Sequence, residues 1–250
     1  AGSGTTLATG NLALAGGSLA IGNGGGLTAN GSTVTVGDVT MTGGTSGMIA
    51  LTVGVWTVSG NWNTSGAGSG FMKGASTVTM LGAAKALQIL NSANGFNNLT
   101  ITGSVTQATA IDVSGMLSIT GTLTTAGYSI TGGAALALSS GGTLVGTTSS
   151  ISVGSVRMND VSSNRLTLTT GARSVSGSWD TAGASSGLTL GTSTATLTGA
   201  TGTIALGVGQ ALADVLITGT YTLSSPMTAS SLTISAGGLV KGTNALTVTG

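Results

Sequence analysis

The residues that could do acid–base or nucleophilic chemistry are few and scattered. The 250-residue chain has five Asp, three Lys and three Arg, and it has no His, Cys or Glu. General acid–base catalysis needs paired carboxylates or a His, and a Ser nucleophile needs a base beside it. The aspartates are isolated, at Asp38, Asp112, Asp160, Asp180 and Asp214. The sequence therefore predicts no enzyme activity, no metal site and no cofactor.

Charge is concentrated in one segment, SVRMNDVSSNR at residues 155–165. Arg157, Asp160 and Arg165 could form an ion-pair patch that sets the register between subunits. A loop with solvated charges is the alternative. Arg157 is replaced by Thr40 at the equivalent position of an internal repeat, so the patch is not part of the repeated scaffold.

Two tryptophans lie in a phrase that occurs twice. Residues 58–70 read VSGNWNTSGAGSG and residues 175–187 read VSGSWDTAGASSG, matching at nine of thirteen positions with an offset of 117. Trp62 and Trp179 could be aromatic platforms for a sugar ring. Because equivalent positions in two repeats are also what packing produces, we expect both to be packing residues in glycine-flanked turns.

Three N-x-Ser/Thr sequons begin at Asn30, Asn63 and Asn98. They are candidate N-glycosylation sites only in a host with that machinery. Asp180 stands at the position equivalent to Asn63, which argues against a repeated glycan.

The composition limits the possible partners. Only 4% of residues are charged, against about 25% in a typical soluble domain. The net charge of +1 indicates neither nucleic acid nor an anionic membrane surface. The sequence has no apolar run of about 18 residues, so it does not predict a transmembrane helix. The chain starts at Ala1, so we expect either a removed leader or a fragment.

The elements that carry these residues are expected to be short strands. Apolar residues alternate over four to six positions, and Gly or Asn follows each run. Gly, Thr, Ser and Val are poor helix formers, and a hydrophobic content of 40% does not fit disorder. The best candidate strands are 33–36, 39–42, 48–53, 76–81, 87–90, 98–102, 116–120, 128–131, 150–153, 155–158, 166–169, 194–198, 203–206, 214–218, 221–224, 232–235 and 245–249.

The repeat extends along the chain. At the same offset of 117 residues, VTVGDVTM (34–41) matches ISVGSVRM (151–158), and STVTMLGA (76–83) matches STATLTGA (193–200). The opening phrase GNLALAGGS (10–18) returns as GTLTTAGYS (121–129) and, loosely, within 235–250. We therefore expect one continuous architecture over 1–250, built of modules 1–117 and 118–234 plus a closing partial repeat, 235–250.

This pattern predicts an all-β fold, a parallel β-solenoid with right-handed coiling. Self-similarity at short spacing is typical of solenoids, and coils of roughly 20–25 residues would give about 10–12 coils. Leu, Val, Ile and Ala would point inward, with Thr and Ser outward. Tandem β-sandwich modules are the alternative.

Thr-x-Thr recurs along the chain, which raises the possibility of an ice-binding solenoid face. The spacings between the occurrences are uneven, so Thr is better explained as the ordinary outward residue of a strand. The occurrences are 33–35, 77–79, 100–102, 122–124, 167–169, 194–196 and 247–249.

The phrases GNWNTSG, STVTMLG, FNNLTITG and SLTISAGGL resemble those of repetitive secreted and surface proteins with parallel β-helices. The style is similar to filamentous-haemagglutinin-like adhesins and autotransporter passengers. This resemblance covers nearly the whole chain, and it implies an extracellular, elongated, non-enzymatic protein.

We therefore expect a structural subunit of an extracellular filament or surface layer, whose partner is another copy stacked head to tail through the solenoid ends. An adhesin or glycan-binding stalk that contacts glycans or cell surfaces is the alternative, and an ice-binding solenoid is third. Neither nucleic-acid binding nor membrane insertion is expected.

Overall fold

The computed structural model describes residues 6–42, 48–67, 71–91, 94–158, 165–184 and 187–250. Within these ranges the protein is all-β, without an α-helix, and its strands stack as a parallel β-solenoid of about 11 turns. The prediction of a parallel β-solenoid is confirmed; right-handed coiling stays a prediction. Contacts divide the chain into two compact units, Ala1–Leu117 (unit 1) and Ser118–Gly250 (unit 2).

The strands are short, and most contain two to six residues. The first sixteen are β1 (Thr6–Ala8), β2 (Leu14–Ala15), β3 (Leu19–Ile21), β4 (Gly26–Thr28), β5 (Thr33–Val36), β6 (Val39–Met41), β7 (Met48–Ala50), β8 (Val55–Val58), β9 (Trp62–Thr64), β10 (Phe71–Met72), β11 (Thr77–Met80), β12 (Lys85–Ile89), β13 (Phe96–Ile101), β14 (Ser104–Gln107), β15 (Ile111–Ile119) and β16 (Thr122–Thr124). The remaining strands are β17 (Ile130–Thr131), β18 (Ala135–Leu138), β19 (Thr143–Gly146), β20 (Ile151–Val153), β21 (Ser155–Met158), β22 (Arg165–Leu168), β23 (Arg173–Val175), β24 (Trp179–Asp180), β25 (Leu188–Thr189), β26 (Thr194–Leu197), β27 (Thr201–Ala205), β28 (Leu212–Ile217), β29 (Thr220–Leu223), β30 (Met227–Ile234), β31 (Gly238–Val240) and β32 (Leu246–Val248).

Each unit is built of three parallel sheets. In unit 1 these are sheet 1A (β1-β4-β7-β10), sheet 1B (β2-β5-β8-β11-β13) and sheet 1C (β3-β6-β9-β12-β14). In unit 2 they are sheet 2A (β16-β19-β22-β25), sheet 2B (β17-β20-β23-β26-β28-β30-β32) and sheet 2C (β18-β21-β24-β27-β29-β31). Every strand pair recorded in the described ranges is parallel, which excludes the β-sandwich alternative.

The core consists of apolar ladders that run from coil to coil. In sheet 1B the inward positions stack as Val34, Trp56, Val78 and Leu99, all 0% exposed. Successive side chains of a strand point to opposite faces, so the residues between these positions face outward. Burial alternates accordingly along β5, where both valines are buried and both threonines are exposed.

The strands themselves repeat between the two units. Each of β1–β17 has a counterpart fifteen strands later, which starts 116–118 residues further along the chain. The pairing pattern repeats as well: β5 pairs β8 in sheet 1B, and their counterparts β20 and β23 pair in sheet 2B.

Glycine allows the close approach of successive coils at a corner that both units share. Gly74 has φ +53°, and a Cβ added there would lie 2.1 Å from the carbonyl oxygen of Thr52. Gly191 has the same φ, and its Cβ would lie 2.5 Å from the carbonyl oxygen of Thr169. Only glycine satisfies both the left-handed backbone and this contact without strain.

Two sequence-based expectations about elements are wrong. Trp62 and Trp179 lie in strands β9 and β24, whereas glycine-flanked turns were expected. Strand lengths also exceed the predicted four to six residues in places, since β15 has nine residues and β30 has eight. Stacking on neighbouring coils decides where a strand begins and ends, and local glycine content does not.

Candidate functional surfaces and buried polar groups

Trp62 lies at the centre of an aromatic cluster in the core of unit 1. Its ring centroid is 6.1 Å from that of Trp56, 5.9 Å from Phe71 and 5.3 Å from Phe96, each in an edge-to-face arrangement. All four rings are buried. Edge-to-face pairs add about 0.5–1.5 kcal/mol each beyond area burial, so the cluster stabilises unit 1.

Trp179 is also enclosed, at 1% exposure in the core of unit 2. Trp62 and Trp179 are therefore core side chains, and neither ring presents a face on which a sugar could stack.

The three charged residues of segment 155–165 are not shown together. Arg157 lies on β21 in sheet 2C and Arg165 on β22 in sheet 2A, both exposed. Asp160 lies outside the described residues. The Cα partner of Arg157 on the next coil is Asp180, which was not among the predicted residues of the patch. The signal was available, because position 180 follows position 157 by about one coil.

The three sequon asparagines differ in what their groups already bind. Asn30 sits in a turn with φ +48°, and its carbonyl oxygen accepts a hydrogen bond from the hydroxyl of Thr52. The Oδ1 of Asn63 accepts from the backbone N–H (3.1 Å) and hydroxyl (2.7 Å) of Ser65. The Oδ1 of Asn98 accepts from the backbone N–H of Met116 at 3.0 Å. All three side chains are partly exposed.

A rank of threonines crosses the outer face of sheet 1B. Thr35, Thr57, Thr79 and Thr100 are Cα partners on four neighbouring strands. The Thr-x-Thr motifs are unevenly spaced along the chain, partly because β8 reads Val-Trp-Thr-Val and does not contain the motif. Because side chains alternate along a strand, Thr57 of β8 still faces outward and completes the rank.

A polar groove of about 430 Å³ lies on the outer face of sheet 1C. Thr40, Asn63 and Gln88 are Cα partners on its floor. At its rim, the backbone N–H of Asn61 donates to Oδ1 of Asp38 at 2.6 Å. That hydrogen bond is the main reason why the pKa of Asp38 is lowered. The Oδ1 of Asn61 in turn accepts from the backbone N–H of Ala86 at 2.9 Å, so side chains link three successive coils.

The core is open at the first coil of unit 1. Leu7, Leu14 and Leu19 are the inward partners of Leu27, Val34 and Val39 on the next coil. The latter three are at most 1% exposed, whereas Leu7 is 52% exposed and the other two are partly exposed. Among the described strands, β1, β2 and β3 pair on one side only.

The same holds for the last coil of unit 2. Ile234 and Val248 are the inward partners of Ile217 and Ala229, which are both 0% exposed. Ile234 itself is 46% exposed and Val248 is 48% exposed. In the described part of the chain, β31 and β32 each pair with a single strand.

An apolar loop follows β27. Val208 is exposed at its tip, beside a groove of about 380 Å³ that includes Leu206 and Pro226. The loop is held from below by Gln210, whose Oε1 accepts from the hydroxyl of Thr181 at 2.6 Å and the backbone N–H of Gly207 at 3.0 Å.

Arg173 is buried in unit 2 at the position that Trp56 occupies in unit 1. It is 2% exposed, and desolvation lowers its pKa to about 10.

The ion pair that the described residues form lies elsewhere, between Lys73 and Asp112 at 3.3 Å in unit 1. Within those residues no group of three or more potential metal-ligating side chains comes together.

Comparisons with protein-family models, with curated proteins and with solved structures find no significant match. A search of the described residues for a helix that could span a membrane also finds none.

Proposed function

We propose that the protein is a structural subunit of an extracellular filament or surface layer, in which copies stack head to tail through their solenoid edges. The observation that carries the proposal is made at the edges of the described coils. There, inward residues of the first coil of unit 1 and the last coil of unit 2 are exposed, although their partners one coil away are buried.

Open edges of this kind favour β pairing with another chain. Strands that pair on one side present unpaired N–H and C=O groups, which are a template for a further strand. Inward apolar residues such as Leu7 and Ile234 lose solvent contact when a coil covers them, which contributes about 25 cal/mol per Å² of apolar area. In the proposed assembly a second copy supplies that coil, and a head-to-tail contact of this type extends into a fibre.

The surface composition supports the same proposal. Exposed charge normally keeps proteins apart in solution, and this chain has eleven charged side chains in 250 residues. Edge strands in soluble proteins are commonly protected by Lys or by inward-pointing charges. The inward positions of β32 are instead filled by Leu246 and Val248.

The experiment compares assembly of the wild-type chain with that of the variant Ile234→Lys, Val248→Lys. Electron microscopy and light scattering should show fibres for the wild-type chain and a loss of assembly for the variant, because two charges then stand at inward positions of the edge.

Val240→Lys is the matched control. Val240 lies in the same coil and is 52% exposed, but its partner Thr222 marks it as an outward position. This variant should still assemble. A wild-type chain that stays monomeric at high concentration would refute the proposal, and equal assembly of all three proteins would exclude these edges as the contact.

The second candidate, an adhesin or glycan-binding stalk, is supported by the polar groove of sheet 1C. The groove offers uncharged groups that both donate and accept hydrogen bonds, at Thr40, Asn63 and Gln88. Retention on immobilised glycans should fall by roughly five- to 150-fold in the variant Asn63→Ala, Gln88→Ala, since each of two lost hydrogen bonds contributes about 0.5–1.5 kcal/mol. Unchanged retention would exclude the groove as the site.

A further inference from the structure

Arg173 points into the core of unit 2 from strand β23. Its Cα partners on the two neighbouring coils are Ile151 and Ala195, both buried and apolar. The Nη1 group donates to the carbonyl oxygen of Ser149 and, at 3.1 Å, to that of Ala172. One side of the guanidinium is therefore anchored to the backbone.

The other side of the guanidinium has no acceptor. Nε and Nη2 are buried and form no hydrogen bond within the described residues. These two N–H groups lie along one edge of the planar guanidinium and donate in parallel, which is the arrangement that binds an anion in a bidentate manner. The described aspartates of unit 2, Asp180 and Asp214, are partly exposed rather than buried, so neither enters the core.

A second buried donor belongs to the same part of the fold. The Nε1 of Trp179 has no partner either. In unit 1 the equivalent Nε1, that of Trp62, donates to the hydroxyl of Thr64 at 3.3 Å. In unit 2 the equivalent hydroxyl, that of Thr181, bonds Gln210. Arg173 and Trp179 occupy the positions of Trp56 and Trp62, whose ring centroids are 6.1 Å apart.

Several core positions of unit 1 have smaller counterparts in unit 2. Two phenylalanines and a valine of the unit 1 core are replaced by leucines and an alanine. Tyr221, which replaces Val105, is the opposite change, and its hydroxyl accepts from the backbone N–H of Gly199. The smaller replacements are Leu188 for Phe71, Leu212 for Phe96 and Ala195 for Val78.

We propose that the core of unit 2 binds one small monovalent anion, of halide size, at the Nε–Nη2 edge of Arg173. An anion supplies both the acceptor and the opposite charge that the buried guanidinium lacks. A water molecule would supply the acceptor but would leave the charge uncompensated, and its own protons would need acceptors in an apolar core. Because the site is enclosed, the anion enters during folding or local opening and binds the folded state only.

The test is thermal unfolding of the full chain in sodium bromide and in sodium gluconate at equal ionic strength. Gluconate is a bulky organic anion that a buried site of halide size would exclude. A ligand that binds only the folded state raises the midpoint, here by roughly 3 °C for each tenfold rise in bromide above its dissociation constant. In crystals grown in bromide, anomalous scattering should place the ion beside Arg173.

Arg173→Met is the matched variant, because it keeps an unbranched side chain but has no donors. Its unfolding midpoint should be the same in bromide and in gluconate. Arg165→Met, at an exposed position, should keep the higher midpoint in bromide. Trp179→Phe keeps an aromatic ring in the core but removes the N–H donor, so it should reduce the difference in unfolding midpoint between bromide and gluconate. A wild-type chain without a bromide-specific shift, an Arg173→Met variant that retains it, or water in place of the anomalous peak would each overturn the proposal.

Discussion

At the scale of single residues, one position separates the two units most clearly. Trp56 fills the core of unit 1 within an aromatic cluster, and Arg173 puts a cation at the equivalent place in unit 2. Burying a cation without a counter-charge costs several kcal/mol even after relaxation. Arg173 is therefore expected to lower the stability of the isolated chain unless a ligand compensates it.

Replacing Arg173 by Met should raise the free energy of unfolding by about 1–4 kcal/mol, the range found when buried ionic groups give way to apolar ones. Urea unfolding in gluconate buffer measures this without adding a halide. Arg165→Met, an exposed control, should stay within about 0.5 kcal/mol of the wild-type chain. A less stable Arg173→Met variant would show that the guanidinium is compensated within the core.

The effect of Arg173→Met on the free energy of unfolding should also depend on pH. Burial lowers the pKa of Arg173 to about 10 in the folded chain. Above about pH 10 the unfolded state therefore binds more protons than the folded state, so stability rises with pH. The stability difference between Arg173→Met and the wild-type chain should narrow as pH rises above about 10.

At the scale of elements, glycine corners allow successive coils to approach closely. Gly74 combines φ +53° with a close approach to the carbonyl oxygen of Thr52. Gly74→Ala should therefore lower the free energy of unfolding by about 2 kcal/mol or more, since the left-handed backbone alone costs roughly 1–2 kcal/mol.

Urea unfolding compares this variant with Gly16→Ala. Gly16 has an ordinary φ and no atom within 4 Å of an added Cβ, so that control should be nearly neutral. Equal effects of the two substitutions would contradict the role assigned to the corner.

Sequence alternation predicted about half of the described strands, because it reports directly which side chains face inward. The bounds of β5 and β21, Thr33–Val36 and Ser155–Met158, agree with the prediction. β9 and β24 were missed, because they are two or three residues long between glycines and exist only through pairing with neighbouring coils. Such strands cannot be recognised from local sequence.

The buried arginine could have been found in the sequence. Arg173 aligns with Trp56 at the repeat offset and alternates with Val175, an inward position. By contrast, the exposure of inward residues at the described edges could not have been found in the sequence. Leu7 and Leu27 differ in burial only because a coil covers one of them. The burial of such a residue depends on the presence of a neighbour and not on its own sequence context.

At the scale of the whole molecule, the low charge content and the exposed strand edges both support the proposed assembly. Few like charges oppose the approach of two copies, and the exposed inward residues are apolar at both described edges. In the proposed assembly, stability and self-association depend on the same kind of coil-to-coil contact. A substitution that strengthens the stacking of coils is expected to favour fibres as well.

The regular pairing between coils also bears on how the chain folds. Neighbouring strands join residues about twenty positions apart, as in Val34 with Trp56 and Thr194 with Asp214. The entropy of loop closure is therefore nearly the same for every added coil. Once a first coil has nucleated, folding can propagate by one coil at a time. A chain that emerges gradually can thus begin folding before its synthesis is complete, with each finished coil as the template for the next.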